Sequence, residues 1–348
     1  MFSPPLGVGL IGTGLIAAIH ARAFASLPEF RLTGVVSRSR GKAKEFAATH
    51  GASFATDSIN ELCAHPDVQI VCIGTPSGAH LEPALAAIQA GKHVIIEKPL
   101  EISVERVDAL LAAAKQHRVL VAPIFQGRFG AGAQKVKKAI ASGQLGRLVL
   151  ATVHVKWHRP DSYYQGWKGM LALDGGGAVM NQAIHGLDLL QWFAGLPSEV
   201  FAWTTRRVHT RIEAEDTACA ALRFSDGALG TIEATTAAFP GWSRRIELCG
   251  EKGSVSLEDD RIARWDLSVP LADELSVESA FSNALGSGAS SPGGIGIEGH
   301  VRQFRDIADT ILHGRPLTID GHEARRAVAL VEALYASAQT GRPISLLP

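Results

Sequence analysis

The sequence predicts an α/β protein that begins with a doubly wound parallel sheet and continues with a second α/β domain built on an antiparallel sheet. Short, nearly continuous apolar runs alternate with amphipathic helical patterns over the first 125 residues. This pattern is typical of strands buried on both faces of a parallel sheet. Beyond residue 125, apolar and polar residues alternate with period two, as in antiparallel sheets with one face in water. The change of pattern divides the chain into domains 1–125 and 126–348.

Five apolar runs predict the strands of the first domain. They are GVGLIG (7–12), LTGVV (32–36), IVCIG (70–74), HVIIE (93–97) and VLVAPIF (119–125). Amphipathic segments between them, such as SGAHLEPALAAIQAGK, predict the crossover helices. Because such crossovers are right-handed, strand and helix in alternation produce a doubly wound sheet.

The second domain opens with a helix at about 132–142 and a strand at about 147–157, followed by the glycine-led helix GGGAVMNQAIHGLDLLQWFAG. Five alternating runs then predict antiparallel strands: EVFAWTTRRV, DTACAALRF, ALGTIEATTAA, SRRIELCG and GSVSLED. Residues 280–296 are rich in Gly and Ser and predict a mobile loop. Helices at about 298–313 and 321–339 end the chain, and the closing helix is able to pack back on the first domain.

Composition argues against several classes of protein. The 348 residues carry 34 basic and 34 acidic side chains, so no net charge favours nucleic acid or an anionic membrane. Four scattered cysteines without a CxxC pair argue against a zinc site or disulfides, and we predict no metal and a cytoplasmic protein. No segment reaches the roughly 20 apolar residues of a spanning helix. The N-terminal apolar run is broken by glycines and lacks a preceding basic residue, unlike a signal peptide.

The first strand runs directly into a GxGxxA motif that opens a helix. Gly12 allows a tight turn, Gly14 lets the backbone approach a pyrophosphate, and Ala17 lets the helix pack closely on the strand. The free N–H groups and the dipole of the helix N-terminus favour that anion. This context predicts a Rossmann dinucleotide site, whose binding residues are Gly12, Thr13, Gly14, Leu15 and Ile16.

The end of the second strand indicates which dinucleotide binds. NAD enzymes usually carry an acidic residue there for the ribose 2′-hydroxyl, whereas this chain has Ser37 and Arg38 in VVSRSRGKAKEF. A guanidinium matches the geometry of a 2′-phosphate. The residues favour NADP(H), with NAD(H) as the alternative, and a solvated basic loop would explain the same arginines.

Two further strands end in residues suited to chemistry. The run HVIIE passes into Glu97, Lys98 and Pro99, and the neighbouring strand passes into TPSGAH, with Thr75, Pro76 and His80. Ligands of open α/β sheets bind outside the carboxyl ends of the strands. We therefore predict that Lys98 is catalytic and that Thr75, Pro76, His80, Glu97 and Lys98 lie at the cofactor.

A third signal lies in the glycine-led helix. Asn181, His185 and Asp188 stand at i, i+4 and i+7, on one face of an otherwise apolar helix. A single histidine in such a place is often a satisfied core residue, but a polar stripe of three favours function, and we predict that His185 and Asn181 are catalytic together with Lys98.

Together, GxGxxA, EKP and GGGxxxNxxxHxxD resemble the glucose-fructose oxidoreductase / inositol dehydrogenase / MocA family over essentially the whole chain. The resemblance implies a Rossmann domain followed by an α/β domain with a large, open, mostly antiparallel sheet, and a hydride transfer to or from a sugar or cyclitol. It implies that Lys98 lies near the substrate hydroxyl and the nicotinamide, and that His185 acts as acid/base or orients that hydroxyl. Members commonly have Asp where this chain has Asn181, and the version MNQAIH resembles members that act on nucleotide-linked or amino sugars. Because an amide cannot relay a proton, the acid/base work would rest on Lys98 and His185.

The segment WHRPDSYYQGWKGM supplies aromatic and cationic side chains just ahead of that helix. Aromatic rings stack on sugar faces and cations suit polyhydroxy or acidic groups, so the candidate substrate residues are Trp157, Arg159, Tyr163, Tyr164, Trp167, Lys168 and Asp188. An aromatic rim of the core explains the same pattern equally well. We expect a homodimer or homotetramer through the open sheet. The alternatives are a reductase of a non-sugar substrate, like dihydrodiol dehydrogenases, and a catalytically silent dinucleotide sensor.

Overall fold

The computed structural model describes residues 3–269, 285, 287–289, 294 and 296–346. The chain divides into two compact units, one formed by Met1–Gln126 with Ile297–Arg325 and one by Gly127–Gly296 with Arg326–Pro348. Most of the predicted loop 280–296 lies outside the described residues. Within the described part of the chain, no helix is both long and apolar enough to cross a membrane.

The first unit contains a six-stranded, wholly parallel sheet, as the apolar runs predict. Its strands are β1 (Leu6–Ile11), β2 (Phe30–Val36), β3 (Phe54–Thr56), β4 (Ile70–Ile73), β5 (His93–Ile96) and β6 (Val121–Pro123). Their order, β3-β2-β1-β4-β5-β6, is that of a doubly wound dinucleotide-binding sheet. The sequence did not predict β3, which has only three residues at the sheet edge.

Six helices complete the first unit. They are α1 (Leu15–Ala25), α2 (Arg40–His50), α3 (Ile59–Ala64), α4 (Leu81–Gln89), α5 (Val104–His117) and, after the second unit, α9 (Glu298–His313). In the core of this unit Phe304 of α9 stacks on Phe24 of α1, with ring centroids 4.2 Å apart. The contact fixes α9 against α1 near the start of the sheet's first crossover.

The second unit contains an eight-stranded, mostly antiparallel sheet. Its strands are β7 (Leu148–Lys156), β8 (Glu199–Thr205), β9 (Thr217–Arg223), β10 (Leu229–Thr235), β11 (Arg245–Gly250), β12 (Gly253–Glu258), β13 (Arg261–Leu267) and β14 (Ile344–Ser345). The order is β13-β12-β11-β7-β10-β9-β8-β14, and only β7 and β10 pair in parallel among these described strands. The predicted alternation is present, since β9 and β10 bury every second residue. The sequence did not predict β13 or β14.

Helices lie against this sheet and beside it. They are α6 (Ala131–Ala141), the single turn α7 (Leu171–Asp174), α8 (Ile184–Ala194) and α10 (Gly321–Thr340), whose first residues belong to the first unit.

The glycine-led helix differs from its prediction as one regular α-helix. Ala178–Ala183 are π-helical, and α8 begins only at Ile184. A Cβ at Gly177 would lie 1.8 Å from the Glu215 carbonyl oxygen, and one at Gly176 would lie 2.0 Å from Tyr335 Oη. The glycines are therefore required by close approach, and the Glu215 carboxylate accepts hydrogen bonds from the N–H groups of Gly177 and Val179. Single π-helical turns are frequent at functional sites.

Candidate active site

The glycine turn after β1 has the geometry that a bound pyrophosphate requires. Gly12 adopts φ +112°, and a Cβ there would lie 2.8 Å from the carbonyl oxygen of Gly74. Gly14 stands before α1 in an extended conformation, and among the described residues no atom lies within 4 Å of where its Cβ would be. The backbone at Gly14 is therefore open to close approach at the start of α1, and the residues present fit a dinucleotide.

Ser37 and Arg38 follow β2 beside this turn. Thr13 Oγ1 donates to Ser37 Oγ over 3.4 Å, which brings the serine next to the glycine motif. Arg38 is exposed, and Ser39 caps α2 by accepting from the Lys42 N–H. The basic residues therefore lie at the expected edge of the sheet.

His80 joins the two turns predicted to border the cofactor. Its Nδ1 lies 3.0 Å from the Pro99 carbonyl oxygen and its Nε2 lies 3.0 Å from that of Thr75. The ring is only 1% exposed, and burial lowers its pKa, so the neutral ring donates to one carbonyl at a time. This arrangement supports a structural role for His80, because it holds the ends of β4 and β5 together.

Lys98 lies at the carboxyl end of β5, as predicted, and is half-buried between two buried neighbours. The Lys98–Pro99 peptide bond is cis. The Glu97 side chain lies in the core of the unit, where its Oε1 is 2.9 Å from His20 Nε2, while its Oε2 accepts from the Lys98 N–H over 2.9 Å. Burial alone would raise the pKa of Glu97, but its interactions with His20 and His300 outweigh burial and hold the pKa well below its usual value.

His20, Glu97 and His300 also place one candidate ligand atom each within 4.8 Å of the others. The 2.9 Å separation of His20 and Glu97 is that of a hydrogen bond. We interpret the group as a hydrogen-bond network, and the absence of a metal stays a prediction.

In the second unit, His185 differs from its neighbours in exposure. Every residue from Gly176 to Gln191 is buried except His185, which is half-buried. A partly accessible imidazole on a helix that is otherwise buried is what an acid/base residue requires.

The π-helical turn places Asn181 away from the regular stripe predicted for it. Its Nδ2 donates to Asp174 Oδ1, and its Oδ1 accepts from Tyr163 Oη over 3.4 Å. Asp188 instead forms a bidentate ion pair with Arg128, and both side chains are 1% exposed. This pairing supports a structural role for Asp188.

Tyr163 is the centre of a polar group that we call the Tyr163 cluster. Its hydroxyl accepts from Lys168 Nζ over 2.8 Å and from Gln182 Nε2 over 2.7 Å. Burial, with the charge of Asp174, raises the pKa of Tyr163 to about 12. Burial lowers the pKa of Lys168, and Asp174 partly opposes this effect. The members of the cluster are Tyr163, Lys168, Asp174, Asn181 and Gln182.

Most of the other predicted substrate residues bind protein groups and so stabilise the core. Arg159 is 2% exposed, donates to the carbonyls of His158, Gly288 and Ala289, and lies over the Trp157 ring. Tyr164 Oη lies 2.6 Å from Thr236 Oγ1. These contacts agree with the aromatic rim of the core that the sequence left open. Trp167 lies beside Lys168, whose Nζ is 4.6 Å from the ring centroid.

Several side chains of these networks are absent from the sequence prediction. Asp174 directly precedes the glycine run, and Gln182 follows Asn181, so both had a local signal. His20, His300, Glu215 and Tyr335 meet their partners only through contacts distant in sequence, which no local pattern reveals.

Comparison with known proteins identifies relatives over the whole chain. The family model described as an oxidoreductase family with an NAD-binding Rossmann fold matches residues 6–125, and that of the GFO/IDH/MocA C-terminal domain matches residues 133–256. An uncharacterized oxidoreductase of Synechocystis is 32% identical over 75% of this chain and 73% of its own length. The levoglucosan dehydrogenase of Pseudarthrobacter phenanthrenivorans is 27% identical over 98% of this chain and 94% of its own. The WlbA dehydrogenase of Bordetella pertussis, solved with NADH and UDP-GlcNAcA, superimposes with a TM-score of 0.92, 32% identity, and coverage of 100% and 99%.

Proposed function

Since the chain belongs to the GFO/IDH/MocA family of oxidoreductases, we propose that it transfers a hydride between nicotinamide C4 and a secondary hydroxyl or ketone. The substrate is a sugar, a nucleotide-linked sugar or a cyclitol. The observation that carries the proposal is Lys98, a half-buried ammonium at the carboxyl end of β5. In the sheet β5 pairs with β4, and β4 pairs with β1, which leads into the glycine turn.

We assign proton transfer to Lys98 and His185. A bound nicotinamide supplies the hydride chemistry. Oxidation of an alcohol also releases a proton, and an amine or imidazole with a pKa near the working range accepts it. Asn181 cannot accept that proton, and its contacts with Asp174 and Tyr163 fix its orientation. We therefore assign to Asn181 the binding of a substrate hydroxyl.

The Tyr163 cluster supports a polyhydroxy substrate with an acidic or nucleotide-linked part. Lys168 supplies a cation, while Gln182 and Asn181 supply amides beside the Tyr163 hydroxyl. The likeness to a dehydrogenase solved with UDP-GlcNAcA agrees with this choice. We rank nucleotide-linked sugars above free cyclitols for this reason.

The test is hydride transfer by the purified chain with NAD and NADP against UDP-GlcNAcA, levoglucosan and myo-inositol. Formation of NADH or NADPH at 340 nm with one of them, abolished by boiling, would support the proposal. Tight binding of the dinucleotide without turnover of any sugar, cyclitol or aromatic diol would favour the silent sensor instead.

The choice of cofactor is a separate prediction. Ser37 and Arg38 stand where an acidic residue would hold an NAD ribose, so we expect NADPH to bind more tightly than NADH. Arg38→Ala should weaken NADPH roughly ten- to a hundredfold, because one charged hydrogen bond is lost, and should leave NADH unchanged. Titration of tryptophan fluorescence with each cofactor measures this. Equal affinities in the unmodified protein would contradict the prediction, and the NADH in the WlbA complex makes the comparison necessary.

A further inference from the structure

A network of buried polar groups connects β4, α1 and β5 of the first unit. His20, in the middle of α1, is fully buried. Its Nδ1 lies 3.2 Å from Cys72 Sγ and its Nε2 lies 2.9 Å from Glu97 Oε1. The other oxygen of Glu97 accepts the N–H of Lys98 over 2.9 Å. This network therefore ends at the backbone N–H of Lys98, the residue to which we assign proton transfer.

The protonation states of the three side chains determine which group donates in each hydrogen bond of this network. An ionised carboxylate only accepts, so His20 Nε2 carries the hydrogen and donates to Glu97. The Nδ1 of the neutral ring is then an acceptor, and the Cys72 thiol is the donor that faces it. Burial raises the pKa of Cys72 well above its usual value, so the thiol keeps its hydrogen, and burial lowers the pKa of His20, so the ring stays neutral.

We propose that His20, in the Nε2–H tautomer that Glu97 requires and Cys72 complements, is a positioning residue. It holds the Glu97 carboxylate on the Lys98 N–H and so fixes the backbone from which the Lys98 side chain starts. The proposal rests on the proposed function of Lys98. His20 itself is fully buried and is not a catalytic residue in this scheme.

The charged and titratable groups around Glu97 give the scheme a pH dependence. His20 faces it from α1, His300 from α9 with Nε2 3.8 Å away, Cys72 from β4, and His80 acts on the same region from the start of α4. Removing the hydrogen bond from His20 raises the pKa of Glu97. Protonation of Glu97 then weakens its hydrogen bond to the Lys98 N–H. Activity should therefore fall at a higher pH than in the native protein as the pH is lowered.

The matched variants are His20→Gln and His20→Asn. The longer amide reaches the position of Nε2 and donates to Glu97, whereas the shorter amide reaches only the position of Nδ1. Phe304→Leu is the control, because Phe304 contacts the rings of His20 and His300 in the same core without hydrogen bonding to Glu97. Melting temperatures of all three variants separate loss of packing from loss of positioning.

We expect His20→Asn to lower kcat tenfold or more, to leave KM for the dinucleotide unchanged, and to move the acid limb of the kcat profile to higher pH. His20→Gln should restore kcat and the profile, and Phe304→Leu should retain both. In a Lys98→Met background, His20→Asn should have no further effect, because it acts through Lys98. Equal behaviour of His20→Asn and Phe304→Leu, or full additivity with Lys98→Met, would overturn the proposal.

A second readout does not depend on turnover. The Lys98 amide, followed by exchange in a ¹⁵N-labelled protein, should lose protection in His20→Asn and keep it in His20→Gln. Unchanged protection in both variants would overturn the inference, as would a stoichiometric metal ion in the purified protein that His20→Asn removes. If Lys98→Met retains turnover, the proposed function of Lys98 fails, while amide protection still decides whether His20 holds the backbone.

Discussion

At the scale of single residues, Lys98 and His185 share one property. Each is half-buried beside buried neighbours, so its polar end is held by its surroundings and is still partly accessible. Lys98→Met keeps the length of the stem and removes the ammonium. Turnover should then fall by about 10²–10⁴, the usual cost of losing a positioned acid/base group.

The control for this prediction is the dinucleotide affinity, which should stay within about twofold of native because the glycine turn lies after a different strand. Single-turnover rates and cofactor titrations of the same sample measure both. His185→Ala should also lower turnover, and the double variant should lose less than the product if the two act as a unit. Near-normal turnover of Lys98→Met on the true substrate would make Lys98 structural.

Asn181 supports a second prediction about a single residue. Its Nδ2 donates to the buried Asp174 carboxylate, so Asn181→Asp would bring two carboxylates into contact and raise the pKa of one. A carboxyl whose pKa is raised on folding contributes stability below its unfolded pKa and loses it as the pH rises through the folded value. Each unit of that rise costs about 1.4 kcal/mol.

Thermal unfolding at pH 5 and pH 8 checks this sign. The loss of stability of Asn181→Asp relative to the native protein should grow with pH. Asn181→Ala adds no charge, so its loss of stability should not change with pH. The cation of Lys168 opposes the repulsion only in part, because Lys168 already donates to Tyr163. A variant as stable as the native protein at both pH values would contradict this account.

At the scale of elements, a buried ion pair fixes α8 in the second unit. Arg128 Nε and Nη2 donate to the two oxygens of Asp188 over 2.8 and 2.6 Å. Arg128→Met would leave the Asp188 charge buried without its partner and should lower the free energy of unfolding by about 3–5 kcal/mol. Urea unfolding measures the loss. The double variant Arg128→Met/Asp188→Leu should recover most of it, and a double variant as unstable as the single one would contradict this account.

Elements marked by a clear pattern of apolar residues were predictable, and elements fixed by contacts distant in sequence were not. The strands β1, β2, β4, β5 and β6 follow from continuous apolar runs, because both faces of a parallel sheet are buried. The π-helical turn was not predictable, since a segment of six residues is too short for its apolar pattern to distinguish 3.6 residues per turn from a wider turn. It depends on Glu215 and Tyr335, which meet the glycine run only in the folded chain.

The candidate site shows the same division. The position of Lys98 at a strand end followed from a charge pair and a proline after an apolar run. The direction of the Glu97 side chain did not follow, because it depends on His20 and His300, which lie 77 residues before and 203 residues after it in the sequence. For the same reason the sequence placed Asp188 on a functional stripe, where the structure pairs it with Arg128.

At the scale of the whole molecule, the outer face of the second sheet has a composition that predicts self-association. Trp203 of β8 is 63% exposed, Leu229 of β10 is 53% exposed and Leu150 of β7 is 40% exposed. Register places them on one face, since Trp203 pairs with Cys219, Cys219 with Glu233, and Leu229 with Leu150. Large apolar side chains exposed on one face of a sheet favour a protein interface there.

We therefore expect a dimer or tetramer that packs sheet on sheet, with the same face of each copy in contact. Trp203→Glu should shift the protein toward monomer, because a carboxylate would be buried opposite another copy of itself. Val208→Glu is the matched control: Val208 is 56% exposed and follows the end of β8, so its charge should leave the assembly unchanged. Light scattering after size exclusion at micromolar concentration measures both. A native protein that is monomeric there, or equal masses for native protein and Trp203→Glu, would show that this face is not the interface.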